Sequence, residues 1–397
     1  MLILNNKITS KLSTLMVAFD AGSRIEGDDF NSGISHMLEH CIFKGTTNRD
    51  WLEVQREFAF IGARPNAFTS SEMVCYHVTV PYENLESAAD ILSDIVFNST
   101  IPDEEFIKEK EVVKEEEISR KDDVDGYMWE AFSKEWFSNH LSVPVIGTKD
   151  SIDRFTRDEV NSFYNKYCDK KGAIVSLASS LNKRASKQLL NKYFGKSTGR
   201  FRKNYSLDDS TYEQSRTVLL SKDGIEHSYV WMAYPGIVTG SDWAAASHVL
   251  MSIFGSGMDS RLFTEVRERS GLVYGIGSGM QSFQDGSVCL IDFSSREKNV
   301  EKALSIVDGQ VDLIKSERIT DEELERAKNK IRSSVYSLNE NSFGVAFSNL
   351  KSRFNSTSNI EELMNKINSV TKDDIIDVAN IVFDKDRQLT MVCKNNN

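Results

Sequence analysis

The sequence predicts an α+β protein built from two related domains. Two observations carry this. The chain holds a degenerate internal repeat, in which SHMLEHCIFKG around residue 36 is echoed by SHVLMSIFGSG around residue 248. Each half then runs through the same order of strand, helix, short connection and helix, and self-similarity of this kind marks a duplicated structural unit. The polar stretch from about Gly195 to Ser215, GKSTGRFRKNYSLDDSTYEQS, mixes Gly, Ser and both charge signs without apolar periodicity and reads as a junction. Residues 1–200 are therefore expected to form a first domain, 216–397 a second, and 201–215 the linker between them.

The elements follow in order. GISHMLEHCIF has helical character behind Gly33, and the segment from Glu72 to Val80 alternates like a strand. ENLESAADILSDIV leads to Pro102 and the run Asp103-Glu104-Glu105, a helix start whose acids complement the helix dipole. The charged helix that follows contains EKEVVKEEE, with Val112 and Val113 expected to pack its inner face. In the second half GSVCLIDFSS, KNVEKALSIVDGQVDLI and Thr320 before Asp321-Glu322-Glu323 repeat the series. Five prolines in all suit long helices.

With 397 residues, 40% hydrophobic and 27% charged, the chain can bury a large core without disulfides. A net charge of −11 excludes a general nucleic-acid binder, which needs a basic face. Five scattered cysteines, odd in number and with no C-x-x-C pair, point to a reducing compartment. The amino terminus, MLILNNKITSKLS, lacks the apolar centre of a signal peptide and the Arg-rich look of a transit peptide. No stretch approaches the roughly 18 apolar residues of a membrane span. The expected location is the cytoplasm, or an organelle matrix if a presequence has been removed. There is no G-x-S-x-G for a serine hydrolase, and Cys41 is expected to be a small packed side chain.

The chemistry resides in His36-Met37-Leu38-Glu39-His40. Residues four apart share a helix face, so His36 and His40 can present two imidazoles to one metal ion, with Glu39 beside them. Zinc suits imidazole and carboxylate ligands and lowers the pKa of a water to about 7, so that a neighbouring carboxylate can take its proton. A third ligand is needed. Glu109 and Glu116, two helical turns apart, can both face the site, one as ligand and one as partner of a histidine. In the second repeat Met251 and Ser252 replace Glu39 and His40 while His248 keeps the place of His36. One zinc per chain is expected, in the first domain only, with His248 a core or structural histidine.

These residues resemble the inverted-motif H-x-x-E-H zinc peptidases of the pitrilysin, insulinase and mitochondrial processing peptidase family, in its short-chain two-domain branch. The likeness spans nearly the whole chain. In the short-chain members the third ligand follows the second histidine by about 76 residues, the separation of His40 and Glu116. The resemblance thus selects Glu116 as ligand, with Glu117 the weaker substitute and Glu109 left as the hydrogen-bonding partner of a ligand histidine. It implies that Asn66, Ala67 and Phe68, at the head of the segment ending in Thr69, form a sheet edge that pairs with substrate backbone. SRLFTEVRERSGLVYG resembles the family's C-terminal Arg/Tyr motif and implies that Arg267 and Tyr274 contact substrate and stabilise developing negative charge. The implied fold is two antiparallel sheets packed by helices, making half of a clamshell. The implied activity is zinc-dependent endopeptidase action on peptides or unfolded segments in a closed chamber, with Glu39 as general base and the chain as a homodimer. The alternative within the family is a non-catalytic or partner-dependent subunit.

Overall fold

The computed structural model describes residues 2–26, 32–138, 140–195, 214–316, 319–354 and 360–396. The chain divides into two compact units, Met1–Asn204 with Leu338–Phe354, and Tyr205–Ser337 with Asn355–Asn397. The expected 201–215 linker lies, for its greater part, outside the described residues. The second half does not go as one piece into the second unit, because residues 338–354 pack in the first.

The first unit contains β1 (Leu2–Lys7), β2 (Leu12–Phe19), α1 (Ile34–Cys41), α2 (Trp51–Phe60), β3 (Arg64–Thr69), β4 (Val74–Pro81), α3 (Leu85–Phe97), α4 (Asp103–Asp122), α5 (Val124–Trp136), α6 (Lys149–Arg154), α7 (Arg157–Tyr167), β5 (Ile174–Ser179) and α8 (Lys183–Phe194). The chain continues with β6 (Arg216–Ser221), β7 (Ser228–Pro235), α9 (Ala244–Phe254), a π-helical turn (Phe263–Arg269), β8 (Val273–Ser282), β9 (Ser287–Ser295), α10 (Val300–Ser316) and α11 (Asp321–Asn339). Then come α12 (Ser342–Phe354), which belongs to the first unit, and α13 (Ile360–Ser369), α14 (Lys372–Val382) and β10 (Leu389–Lys394). Among the described residues no helix is long and apolar enough to cross a membrane.

The duplication is visible in the strand order, β1-β5-β2-β4-β3 in one five-stranded sheet and β6-β10-β7-β9-β8 in the other. The sheets are mixed rather than wholly antiparallel: β1 runs parallel to β5, and β6 to β10. The reason is topological. β5 inserts between β1 and β2, which run in opposite directions, so a strand antiparallel to β2 must be parallel to β1.

In the first unit β4 is buried along both faces, not alternately. Helices α1, α3 and α7 cover one face, where Leu15, Val17, Tyr76 and Val78 join Met37, Leu38, Leu92 and Phe163 in one core. The other face meets α12, whose Val345, Ala346, Leu350 and Phe354 pack on Met16, Ala18, Cys75 and Ala178. β3 forms one edge of this sheet. The second unit has its own core, centred on Val249, Leu250, Ile291, Val307 and Val378.

Candidate metal centre

Helix α1 sorts its side chains by period. Ile34, Met37, Leu38 and Cys41 recur at helical spacing and are buried in the core. Each fully buried side chain of that size stabilises the docking by about 1.5–3 kcal/mol. With this stripe fixed, His36, Glu39 and His40 fall outside it, and the two imidazoles lie with ring centroids 4.7 Å apart. Gly33 begins the helix at φ 92°, and a Cβ there would meet the Ile146 carbonyl oxygen at 2.5 Å, so no other residue fits.

Helix α4 starts behind Pro102 with three acids in its first turn and ends with Arg120 and Lys121 in its last, the polarity its dipole favours. Phe106, Glu109, Val113 and Glu117 form its buried stripe, whereas Val112, expected to pack there, is 48% exposed. Val112 stands a full 100° from Val113 around the axis, which turns it to solvent. Glu116 lies beside the stripe, and its carboxylate faces both imidazoles: Oε1 is 3.7 Å from His36 Nε2 and Oε2 is 3.3 Å from His40 Nε2. Glu117 instead pairs with Lys121.

His36, His40 and Glu116 each offer a ligand atom, and these lie within 4.8 Å of one another. Ligands about 2.0–2.1 Å from a tetrahedral zinc stand roughly 3.3 Å apart. The donor spacing therefore fits a shared ion, and two nitrogens and a carboxylate leave a position free. Tautomer control fits as well. His40 Nδ1 donates to Glu109 Oε2 at 3.1 Å, which leaves Nε2 as the nitrogen that could face a metal. Lys44 Nζ holds the other oxygen of Glu109 at 2.6 Å.

The charges are strongly interdependent. Burial works against a charged His40, but hydrogen bonds to Glu109 and Glu116 outweigh it and raise the imidazole to about 9. Burial and the neighbouring His40 push His36 down to about 4. Glu116 is held below the usual carboxylate range by its hydrogen bond from His40. Burial raises Glu39, against a 2.5 Å hydrogen bond donated by the Thr69 hydroxyl to its Oε2. Burial also pushes the Cys41 thiol up to about 12, which disfavours the thiolate a cysteine nucleophile needs.

A cavity of about 450 Å³ adjoins this cluster. Glu39, His40, Lys44 and Glu109 line it together with the apolar Phe43, Val54, Phe58, Ala63, Pro65 and Ala67. Asn66, Ala67 and Phe68 sit on the edge strand β3: Asn66 is exposed, Ala67 faces the cavity, and Phe68 packs against Phe347 of α12. In the second unit the Arg267 guanidinium lies over the Phe263 ring at 4.5 Å and the Tyr274 ring at 5.4 Å. Tyr274 is 86% exposed, beside an irregularity in β8 between Val273 and Ile276. His248, expected as a core or structural histidine, is not in the core: it is exposed on α9, because its neighbours Ser247 and Val249 turn inward.

Thr69 and Lys44 were not singled out from the sequence as parts of the site. Lys44, four residues after His40, carried a helical-spacing signal. Thr69 carried one only as the end of the edge-strand segment.

The comparisons agree with this architecture. A family model described as Insulinase (Peptidase family M16) matches residues 1–149, and one described as Peptidase M16 inactive domain matches residues 154–331. The uncharacterized zinc protease YmxG of Bacillus subtilis is 28% identical, with 100% of this chain and 96% of that protein covered. An uncharacterized zinc protease of Rickettsia bellii is 30% identical over 94% of this chain and 90% of its own length. A protease from Helicobacter pylori of known structure superposes with a TM-score of 0.89 at 23% identity, covering 99% of this chain and 96% of that one.

Proposed function

The chain belongs to the insulinase family of peptidases, family M16, and from that premise we propose that it is a zinc-dependent endopeptidase acting on peptides or unfolded segments. The observation that carries the reading is the convergence of His36 Nε2, His40 Nε2 and the Glu116 carboxylate beside Glu39. Those three residues hold the ion, and Glu109 orients His40. When bound, zinc supplies Lewis acidity, polarising the scissile carbonyl and bringing the pKa of a water to about 7. Glu39 takes the water's proton and passes it to the leaving amine; its burial-raised carboxyl suits a group that must both accept and return a proton. The Thr69 hydroxyl occupies Oε2 and leaves Oε1 for that transfer.

The outer edge of β3 offers its backbone to an extended peptide, with Asn66, Ala67 and Phe68 in the pairing segment. The adjoining cavity receives a mainly apolar side chain. Arg267 and Tyr274 form a cationic aromatic pair suited to substrate binding and charge stabilisation. By the family arrangement, we assign that pair to the zinc site of a second copy, in a homodimer that encloses its substrate. A fully active monomer in sedimentation-coupled assays would contradict that assignment.

The test is cleavage of a peptide library, read by mass spectrometry with and without chelator. Glu39→Gln is expected to keep its zinc by elemental analysis and to lose roughly 10²–10⁴-fold in kcat; substantial turnover excludes Glu39 as the base. His40→Ala is expected to lose the metal. A zinc-loaded wild type that cleaves nothing favours a partner-dependent subunit instead.

A further inference from the structure

We propose that Glu26 is a positioning residue for the metal site, its carboxylate clamping the amino end of α1 and so fixing the rotation of His36, Glu39 and His40 about the helix axis. The inference rests on the zinc peptidase reading above. Glu26 Oε2 accepts the Gly33 N–H at 2.8 Å and Oε1 accepts the Ser35 N–H at 2.8 Å. Both amides belong to the first turn of a helix, where no intrahelical carbonyl can serve them. The Gly33 carbonyl begins the helical ladder by accepting from Met37. The bidentate grip therefore bounds the turn that carries His36, one residue after Ser35.

Glu26 is 6% exposed, and a carboxylate placed there without reason would be costly. The two amide hydrogen bonds and the positive end of the helix recover part of that cost, while burial still pushes the carboxyl up to about 7. The segment that carries Glu26 is itself anchored. Ser23 N donates to Ser70 O at 3.2 Å and Arg24 N to Ser71 O at 2.9 Å. A buried ion pair joins Arg24 to Glu72 at 2.9 Å. Gly22 presses so closely on this turn that a Cβ would meet Glu72 N at 2.4 Å. The turn follows Thr69 directly, and Thr69 holds Glu39. Through Glu26 the helix bearing the ligands is thus referenced to the same turn that fixes the base and ends the edge strand. The apolar stripe docks α1 against the core, and the Glu26 grip adds a polar constraint at its amino end; a rotation of ligand groups by tens of degrees spoils a metal site.

Glu26→Gln is nearly isosteric but sets an amide N–H₂ against one of the two donors. Zinc affinity by competition with a chromogenic chelator is expected to fall about 10–100-fold, with an altered visible spectrum of the cobalt-substituted protein and a loss in kcat larger than any change in KM. Unchanged zinc affinity and cobalt spectrum overturn the proposal even if the melting temperature drops, because a mere stability cap predicts that result. Glu26→Asp, which keeps the carboxyl but is too short to reach both amides, is expected to weaken zinc in the same direction; wild-type affinity there also overturns it. In the wild type, zinc is expected to slow hydrogen exchange of the Gly33 and Ser35 amides, and exchange indifferent to zinc counts against the clamp even if neither variant folds. A wild type that takes up no zinc sinks the metallopeptidase reading and this inference with it; a loaded wild type matched by its Glu26→Gln variant sinks the clamp alone.

Discussion

Both ring nitrogens of His40 face carboxylates, Glu109 at Nδ1 and Glu116 at Nε2. Their roles separate on perturbation. On the proposed zinc reading, Glu109→Gln removes a charge from behind His40 and is expected to weaken zinc about 10–100-fold, measured by chelator competition, while leaving His36, His40 and Glu116 in place. A second histidine makes a prediction about pH. His77 is 8% exposed beside Phe68 and Phe343, and burial pulls its imidazole down to about 4. The unfolded chain takes up this proton near pH 6.5 and the folded one does not, so the contribution is complete above pH 6.5 and is lost as pH falls toward 4. At 1.36 kcal/mol per unit this is about 3 kcal/mol. Urea unfolding at the two pH values should show a smaller acid loss, by about that amount, in His77→Phe. At this scale the sequence discloses what helical spacing encodes: His36, Glu39 and His40, and the shared face of Glu109 and Glu116. Glu26, and the pairing of Thr69 with Glu39 or of Lys44 with Glu109, join groups from different elements, and no local pattern announces them.

Among elements, α12 explains the largest departure from a sequence reading. Alternation in β4 implies one wet face, yet that face is covered by a helix far along the chain. Periodicity reports what a segment prefers, not which distant segment will meet it. Leu350 is fully buried in that contact. Leu350→Ala is expected to cost about 2–5 kcal/mol in denaturant unfolding, with hydrogen exchange rising first in β2 and β5, against which α12 packs. By contrast α4 and α11 start where the acidic runs place them, at Asp103 and Asp321, because capping and dipole signals are local.

For the whole molecule, the repeat was legible because strand and helix order survive where side chains diverge, and both sheets share one strand order. The parallel pairs β1–β5 and β6–β10 were not, since they depend on which strand inserts between two others. The duplication did not carry the metal set with it: the second repeat has Ser252 at the place of His40, and His248 is exposed. His248→Ala is accordingly expected to leave the zinc content at one ion per chain by elemental analysis.

The return of residues 338–354 to the first unit also bears on synthesis. Residues 1–204 leave the ribosome long before residue 354, and the 150 intervening positions (354 − 204) take roughly 8–30 s to add at about 5–20 residues per second. Throughout that interval the nascent sheet keeps an oily side without its lid. Chains stalled short of residue 338 should be cut readily by protease within β2 and β5, and release of the full chain should remove that sensitivity.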